Sequence, residues 1–334
     1  MSATGKHKSA MMSAEVTPGS SADVEKAIAD GETTAPPPNK KAKTETEDVN
    51  AYMQRTFDTR RSFITVELPP IIDVKETYPE LFTGRQIMME FQRITDIDLD
   101  IALQRYCVDY KQDINDMCHR IASAKEVLKQ AEVVKKEIPT LEPYWDMVVS
   151  LCLIPYMMKE NLCDMVIEIG EDEQVDPKGK IVPVLISKGK VLNSDEFILV
   201  VEEEIVQIFE EFTIAFASLF ATYWIFNMEY PDTLVCTYNF IQKVMVNLKD
   251  GSALPALCKD VQQKLIKMAK ARSMKDKQKW LSGKVTMAVL IWYLAWFHYY
   301  FIKHSYIYLC VVLFKGFKLY IHQSFMFIIY IALL

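Results

Sequence analysis

The 334-residue chain carries 38 Lys and Arg against 44 Asp and Glu, and half of its residues are apolar, which is enough core for one or two domains. Its net charge of −6 is segregated: residues 1–48 sum to −2, 49–258 to −14, 259–284 to +7 and the remainder to +3. The acidic central region disfavours nucleic-acid binding, which needs clustered Lys and Arg. The seven cysteines, at 107, 118, 152, 163, 236, 258 and 310, lack the paired close spacing of a disulfide framework or zinc site, which points to a reducing compartment.

Residues 1–50 are Ser, Thr, Ala, Pro, Glu and Lys with no aromatic before Tyr52, too little apolar surface to offset ordering entropy, so this stretch is expected to be a disordered arm. Its first thirty residues hold no apolar run of signal-peptide length. Within it, Lys40, Lys41 and Lys43 follow Pro36-Pro37-Pro38 and form a cluster like a nuclear-import signal, or simply a solvated basic patch.

A helical globular domain is expected over 51–258. Pro69-Pro70 and Pro79 mark an extended region, and Thr83-Gly84 opens a helix with Ile87, Phe91 and Ile94 on one face. Ile114, Met117, Ile121, Ala124, Leu128 and Ala131 recur three and four apart and predict one amphipathic helix ended by Pro139. Pro143 starts the next helix and Pro155 interrupts it. Short β-rich runs at Met165–Ile169, Ile181–Ile186 and Phe197–Val201 predict a small antiparallel sheet of two or three strands at about 165–201. Helix is expected again from Glu202 to Met228, with acids at its start. The uncharged Phe212–Met228 run is flanked by Glu210, Glu211 and Glu229, which favours a buried core helix over a membrane span. Tyr230-Pro231-Asp232 is a turn, and Leu234, Tyr238, Ile241, Met245 and Leu248 give a further amphipathic helix stopped at Asp250-Gly251.

Residues 259–284 read as a basic linker helix and 285–334 as a hydrophobic tail with one or two transmembrane segments. The first, Val285 to Ile302 with Trp292 and Trp296 inside it, is eighteen residues without formal charge. Lys315 and Lys318 interrupt the second. The preceding Lys and Arg orient the large domain to the cytoplasm. The tail also holds 15 of the chain's 38 aromatics and no acid or proline, a composition that translated non-coding sequence would share.

Catalytic motifs are missing. There is no GxxxxGK[ST], GxGxxG, HExxH or GxSxG. His119 is the only histidine between residues 8 and 297, and Cys118 beside it on a helix points about 100° away, which makes no nucleophile–base pair. Glu202, Glu203, Glu204, Glu210 and Glu211 lack accompanying His or Asn and read as solvated surface. The Lys-Gly-Lys units at 178–180 and 188–190 are most simply turns. No catalytic residue, metal site, cofactor or small-molecule substrate follows.

Tyr78-Pro79-Glu80-Leu81-Phe82, Ile87-Met88-Met89-Glu90-Phe91-Gln92-Arg93-Ile94-Thr95, Phe212–Phe226, Tyr230-Pro231 and Thr237-Tyr238-Asn239-Phe240-Ile241-Gln242-Lys243-Val244 resemble a group of fish proteins labelled sterile alpha motif domain-containing protein three-like. The resemblance covers about 60–248. No sterile alpha motif is evident upstream, and the tail lies outside the resemblance. The matching segments are packing and turn motifs, so the resemblance implies kinship and assigns no site residue.

The expected architecture is mainly α with a small antiparallel β element (α+β). The expected function is a non-enzymatic protein-interaction module anchored to a membrane through 285–302, with protein partners. The alternative is a soluble nuclear regulatory or mobile-element-derived protein with a mispredicted tail.

Overall fold

The computed structural model describes residues 48–314. They fall into one compact unit that runs to Ala269 and a second that begins at Lys270. The arm through residue 47, including Lys40, Lys41 and Lys43, and the second apolar run after 314 lie outside the described residues.

Three short helices open the first unit: α1 (Val49–Arg55), α2 (Phe57–Ser62) and α3 (Ile71–Thr77). A 3-10 turn at Pro79–Phe82 leads into α4 (Gln86–Thr95), with Ile87 and Phe91 buried as their spacing predicts. The stretch between the prolines is therefore helical and not extended. Pro70 stands at the N-terminal boundary of α3, where a fixed φ and a missing donor are tolerated, and its carbonyl accepts from Asp73 and Val74.

Next come α5 (Leu99–Cys118), α6 (Lys125–Glu137) and α7 (Glu142–Met157). Asp98 caps α5 by accepting from the Ile101 amide at 3.1 Å. The single helix predicted across Ile114–Ala131 is broken at 119–124, where Ile121 is extended. The reason is tertiary. Lys111 pairs with Asp146 and the Cys118 thiol lies 3.8 Å from the Leu153 carbonyl, so α5 runs in the same direction as α7. α6 is joined to α7 by only residues 138–141, and Lys135 in its last turn pairs with Asp146 near the start of α7, so α6 runs back along α7. Both apolar faces reach α7 only if the chain reverses between them. Pro143 sits in the first turn of α7 as expected, whereas Pro155 is accommodated in its last turn and its carbonyl accepts from Glu160.

The sheet contains β1 (Val166–Ile169), β2 (Val184–Lys188), β3 (Phe197–Val201) and β4 (Glu204–Phe209) in spatial order 1-2-3-4. β1 pairs parallel with β2 and the other neighbours are antiparallel, so the sheet is mixed and has four strands where two or three antiparallel ones were expected. A parallel pair needs a crossover of about a dozen residues, which 170–183 supply without a helix.

The helix expected to start at Glu202 begins at Phe212, because Glu202 and Glu203 form a two-residue hairpin turn with φ of 49° and 65°. Such turns favour Asn and Gly. Here tertiary bonds hold the turn: Glu202 accepts from the Ile71 amide at 2.9 Å and Glu203 from the Gly179 amide at 2.7 Å. Ile205, Val206, Ile208 and Phe209 then continue as a strand.

The core centres on α8 (Phe212–Ile225), buried at every position except Ile214. It packs on α4, α5 and α7 and on β2, β3 and β4. Helix on one side and sheet on the other explain its apolarity all round, as expected for a core helix. Ring contacts knit the layers, with Phe91 to Phe220 at 5.9 Å and Phe197 to Phe212 at 5.4 Å. Arg61 donates to the Trp224 and Ile225 carbonyls, placing a cation at the C-terminal end of α8. α9 (Val235–Phe240) follows and passes into a π-turn at Ile241–Met245. α10 (Ala256–Phe314) is the last element among the described residues.

Candidate functional site

Three polar constellations are built into the first unit, and all of them tie elements together. Arg60, fully buried, forks onto the buried Glu90, with Nε to Oε1 at 2.8 Å and Nη2 to Oε2 at 2.6 Å. Arg93 adds a third donor at 3.0 Å, and Arg60 also donates to Thr56 and to the Met53 carbonyl. This joins α1, α2 and α4 by a bidentate ion pair shielded from water. The Glu160 carboxylate accepts from the Cys236 and Thr237 amides at 2.9 and 2.8 Å, supplying the cap that α9 lacks locally. Trp224 Nε1 donates to the Tyr230 hydroxyl at 3.1 Å, which donates to Gln242 at 3.0 Å. Burial raises the Tyr223, Tyr230 and Tyr238 phenols, which stay protonated as packing groups.

Cys118, His119 and the carboxylates of 202–211 form no catalytic cluster. Cys118 faces the Leu153 carbonyl with its thiol pushed up to about 12 by burial, while His119 is exposed. The carboxylates of Glu202 and Glu203 serve the hairpin turn. Among the described residues, no group of three His, Cys, Asp or Glu side chains could hold a metal ion. The Lys-Gly-Lys units are turns: Gly179 and Gly189 have φ of 75° and 87°, and their amides are spent on Glu203 and the Ile169 carbonyl. Lys188 and Lys190 pair with Glu196 and Glu168.

Two exposed surfaces remain. On the sheet face turned away from α8, Ile167, Ile186, Ile198 and Ile208 stand in one cross-strand row, and Val184, Val200 and Ile205 in the next. Val184, Ile186, Ile198 and Val200 are buried with Val175 nearby, while Ile205 and Ile208 on β4, and Ile181 and Val182 beside them in sequence to β2, are exposed. Water-facing positions of an antiparallel sheet are ordinarily polar.

The second surface is α10. Cys258, Val261 and Leu265 are buried at helical spacing. Beyond Ala269 the helix is basic, with Lys270, Lys275, Lys277, Lys279 and Lys284 exposed, and then apolar. Leu290, Ile291, Trp292, Tyr293, Leu294, Trp296 and Phe297 are all about half exposed or more, Trp292 at 68%. Val285 and Ile302 are helical positions of the same element. Among the described residues this is the one helix long and apolar enough to cross a membrane.

A family model described as "Sterile alpha motif domain-containing protein 3, helical domain" matches residues 37–83, the stretch that holds α1 to α3 and Arg60. The Homo sapiens protein named "Sterile alpha motif domain-containing protein 3" is 23% identical over 202 residues, covering 60% of this chain and 38% of that protein. The two matches support a sterile alpha motif domain-containing protein 3-like group. The matched part is less than half the length of that curated relative. No solved structure matches.

Sequence reasoning missed Arg60, Glu90, Glu160 and Tyr230 as organising residues. Glu90 gives the only local signal, a carboxylate beside Phe91 and one helical turn from Ile87, at the border of the apolar stripe. Glu160 carries none, since its partners lie 76 and 77 residues away.

Proposed function

We propose that this chain is a non-enzymatic protein-interaction module held at a membrane by α10, with its large domain in the cytoplasm. The observation that carries the reading is the continuous exposed apolar surface of α10 directly after a basic stretch. Exposed apolar area of that extent calls for a cover, and about 20 apolar helical residues match the 30 Å hydrocarbon core. Nine Lys and Arg over 259–284 against two Asp supply the cytoplasmic bias. The protein-interaction part rests on kinship with the helical-domain group and on the exposed isoleucines of β4, with other proteins as partners and no cofactor.

Alkaline carbonate extraction of cells expressing the untagged gene, with a search for tryptic peptides downstream of Lys284, tests the anchor. Tail peptides in the extraction-resistant pellet are the expected result. A domain found only in soluble fractions, without tail peptides, refutes the anchor and leaves the nuclear alternative, with its Lys40, Lys41 and Lys43 cluster.

A further inference from the structure

We infer that the basic turns of α10 are a binding surface for anionic phospholipid headgroups; this rests on the anchored reading above and adds a lipid selectivity to it. Lys270, Met274, Lys277, Trp280, Leu281 and Lys284 follow one another at 4, 7, 10, 11 and 14 positions, which places them on one face of the helix. All six are exposed, with Met274 at 65%, Trp280 at 60% and Leu281 at 54%. Lys284 Nζ lies 3.8 Å from the centroid of the Trp280 ring.

A merely solvated charged face would not interleave cations with an indole, a leucine and a methionine. That mixture suits the boundary between headgroups and acyl chains, where rings and aliphatic side chains enter the interface and ammonium groups reach phosphate. Its position fits as well, because the apolar turns begin at the next residue after Lys284. From Lys277 to the end of α10 there is no Asp or Glu to neutralise the field. Trp280 could also stack a nucleobase, but only a lipid surface accounts for the basic and apolar turns together.

The attraction falls off over a Debye length of about 8 Å, and α10 rises about 1.5 Å per residue. Lys284 therefore lies within reach of the headgroups and Lys277 at the margin, whereas Lys270 lies beyond it. Each basic residue so placed favours an anionic over a zwitterionic surface by roughly fivefold.

The test uses the full chain reconstituted in phosphatidylcholine vesicles carrying a trace of spin-labelled phosphatidylserine or spin-labelled phosphatidylcholine, with the motionally restricted lipid read by electron paramagnetic resonance. The expected result is a several-fold excess of restricted phosphatidylserine at low salt, lost at high salt and in the Lys277→Gln, Lys284→Gln variant. Equal restriction of both labels leaves the anchor standing and overturns the lipid selectivity. No restricted lipid with either label overturns both. Equal restriction combined with retention of a single-stranded RNA that depends on the same lysines assigns the surface to nucleic acid and overturns the inference.

Discussion

Replacing Glu90 by Gln removes the carboxylate that receives Arg60 and Arg93 while keeping its volume. Arg60 is 0% exposed and Glu90 1%, so water cannot take over the vacated positions. Two bonds of the fork are charge-assisted, and a third comes from Arg93. In Glu90→Gln the buried Arg60 charge faces a neutral amide whose oxygen can accept one bond while its NH2 opposes the other donor, leaving Thr56 and the Met53 carbonyl as the remaining acceptors, which costs about 3–5 kcal/mol. Replacing both partners by apolar residues, Arg60→Met with Glu90→Leu, removes the fully buried Arg60 charge, leaves Arg93 its bond to Gln86, and is expected to restore much of that loss. Urea unfolding of the protein in mild detergent, followed by tryptophan fluorescence in a variant that keeps Trp224 alone of the five tryptophans, reports the change, since Trp224 packs against Phe91 on α4. With a urea slope of about 1–3 kcal/mol/M, the midpoint of Glu90→Gln falls by more than 1 M. A shift below about 0.3 M, or a double variant as unstable as the single one, refutes the assignment of the clasp as a buried, interdependent pair.

Tyr230→Phe leaves the Trp224 indole and the Gln242 amide without their shared hydroxyl, and a loss of about 2–3 kcal/mol in the same unfolding assay is expected. Burial pushes the Asp250 carboxyl up, but bonds from Gln242, Ser252 and Lys243 outweigh this and bring it to about 2. Its folded value lies below the unfolded value of about 3.9, so its contribution is present above that pH and is lost as pH falls towards 2. Asp250→Asn should therefore flatten the acid limb of a stability–pH curve in that window, and an unchanged limb argues against the assignment. Maleimide labelling of the native protein at neutral pH, read by peptide mass spectrometry, should modify the exposed Cys163 and spare Cys107, which is buried with its thiol pushed up to about 12. Equal labelling of the two would mean that α5 opens far more readily than its packing implies.

The sequence by itself determined whatever depends on neighbours within a turn or two of helix or along one strand. Ile87 and Phe91 recur at helical spacing and are buried, Phe197–Val201 is a strand, and the uncharged run from Phe212 is a core helix bounded by acids. The basic-then-apolar order of α10 is likewise a property of composition. Tertiary structure decided where local preference was weak or opposed. No glycine or proline marks the reversal at 119–124; it exists because α5 and α6 both bury their apolar faces on α7. Glu202 and Glu203 are poor turn residues and reasonable helix starters, yet their carboxylates bind amides of Ile71 and Gly179 and so fix a hairpin, turning 204–209 into a strand. The bonds from Arg60 to Glu90 and from the α9 amides to Glu160 join residues 30 and 76 or 77 positions apart, and periodicity carries no information at such separations.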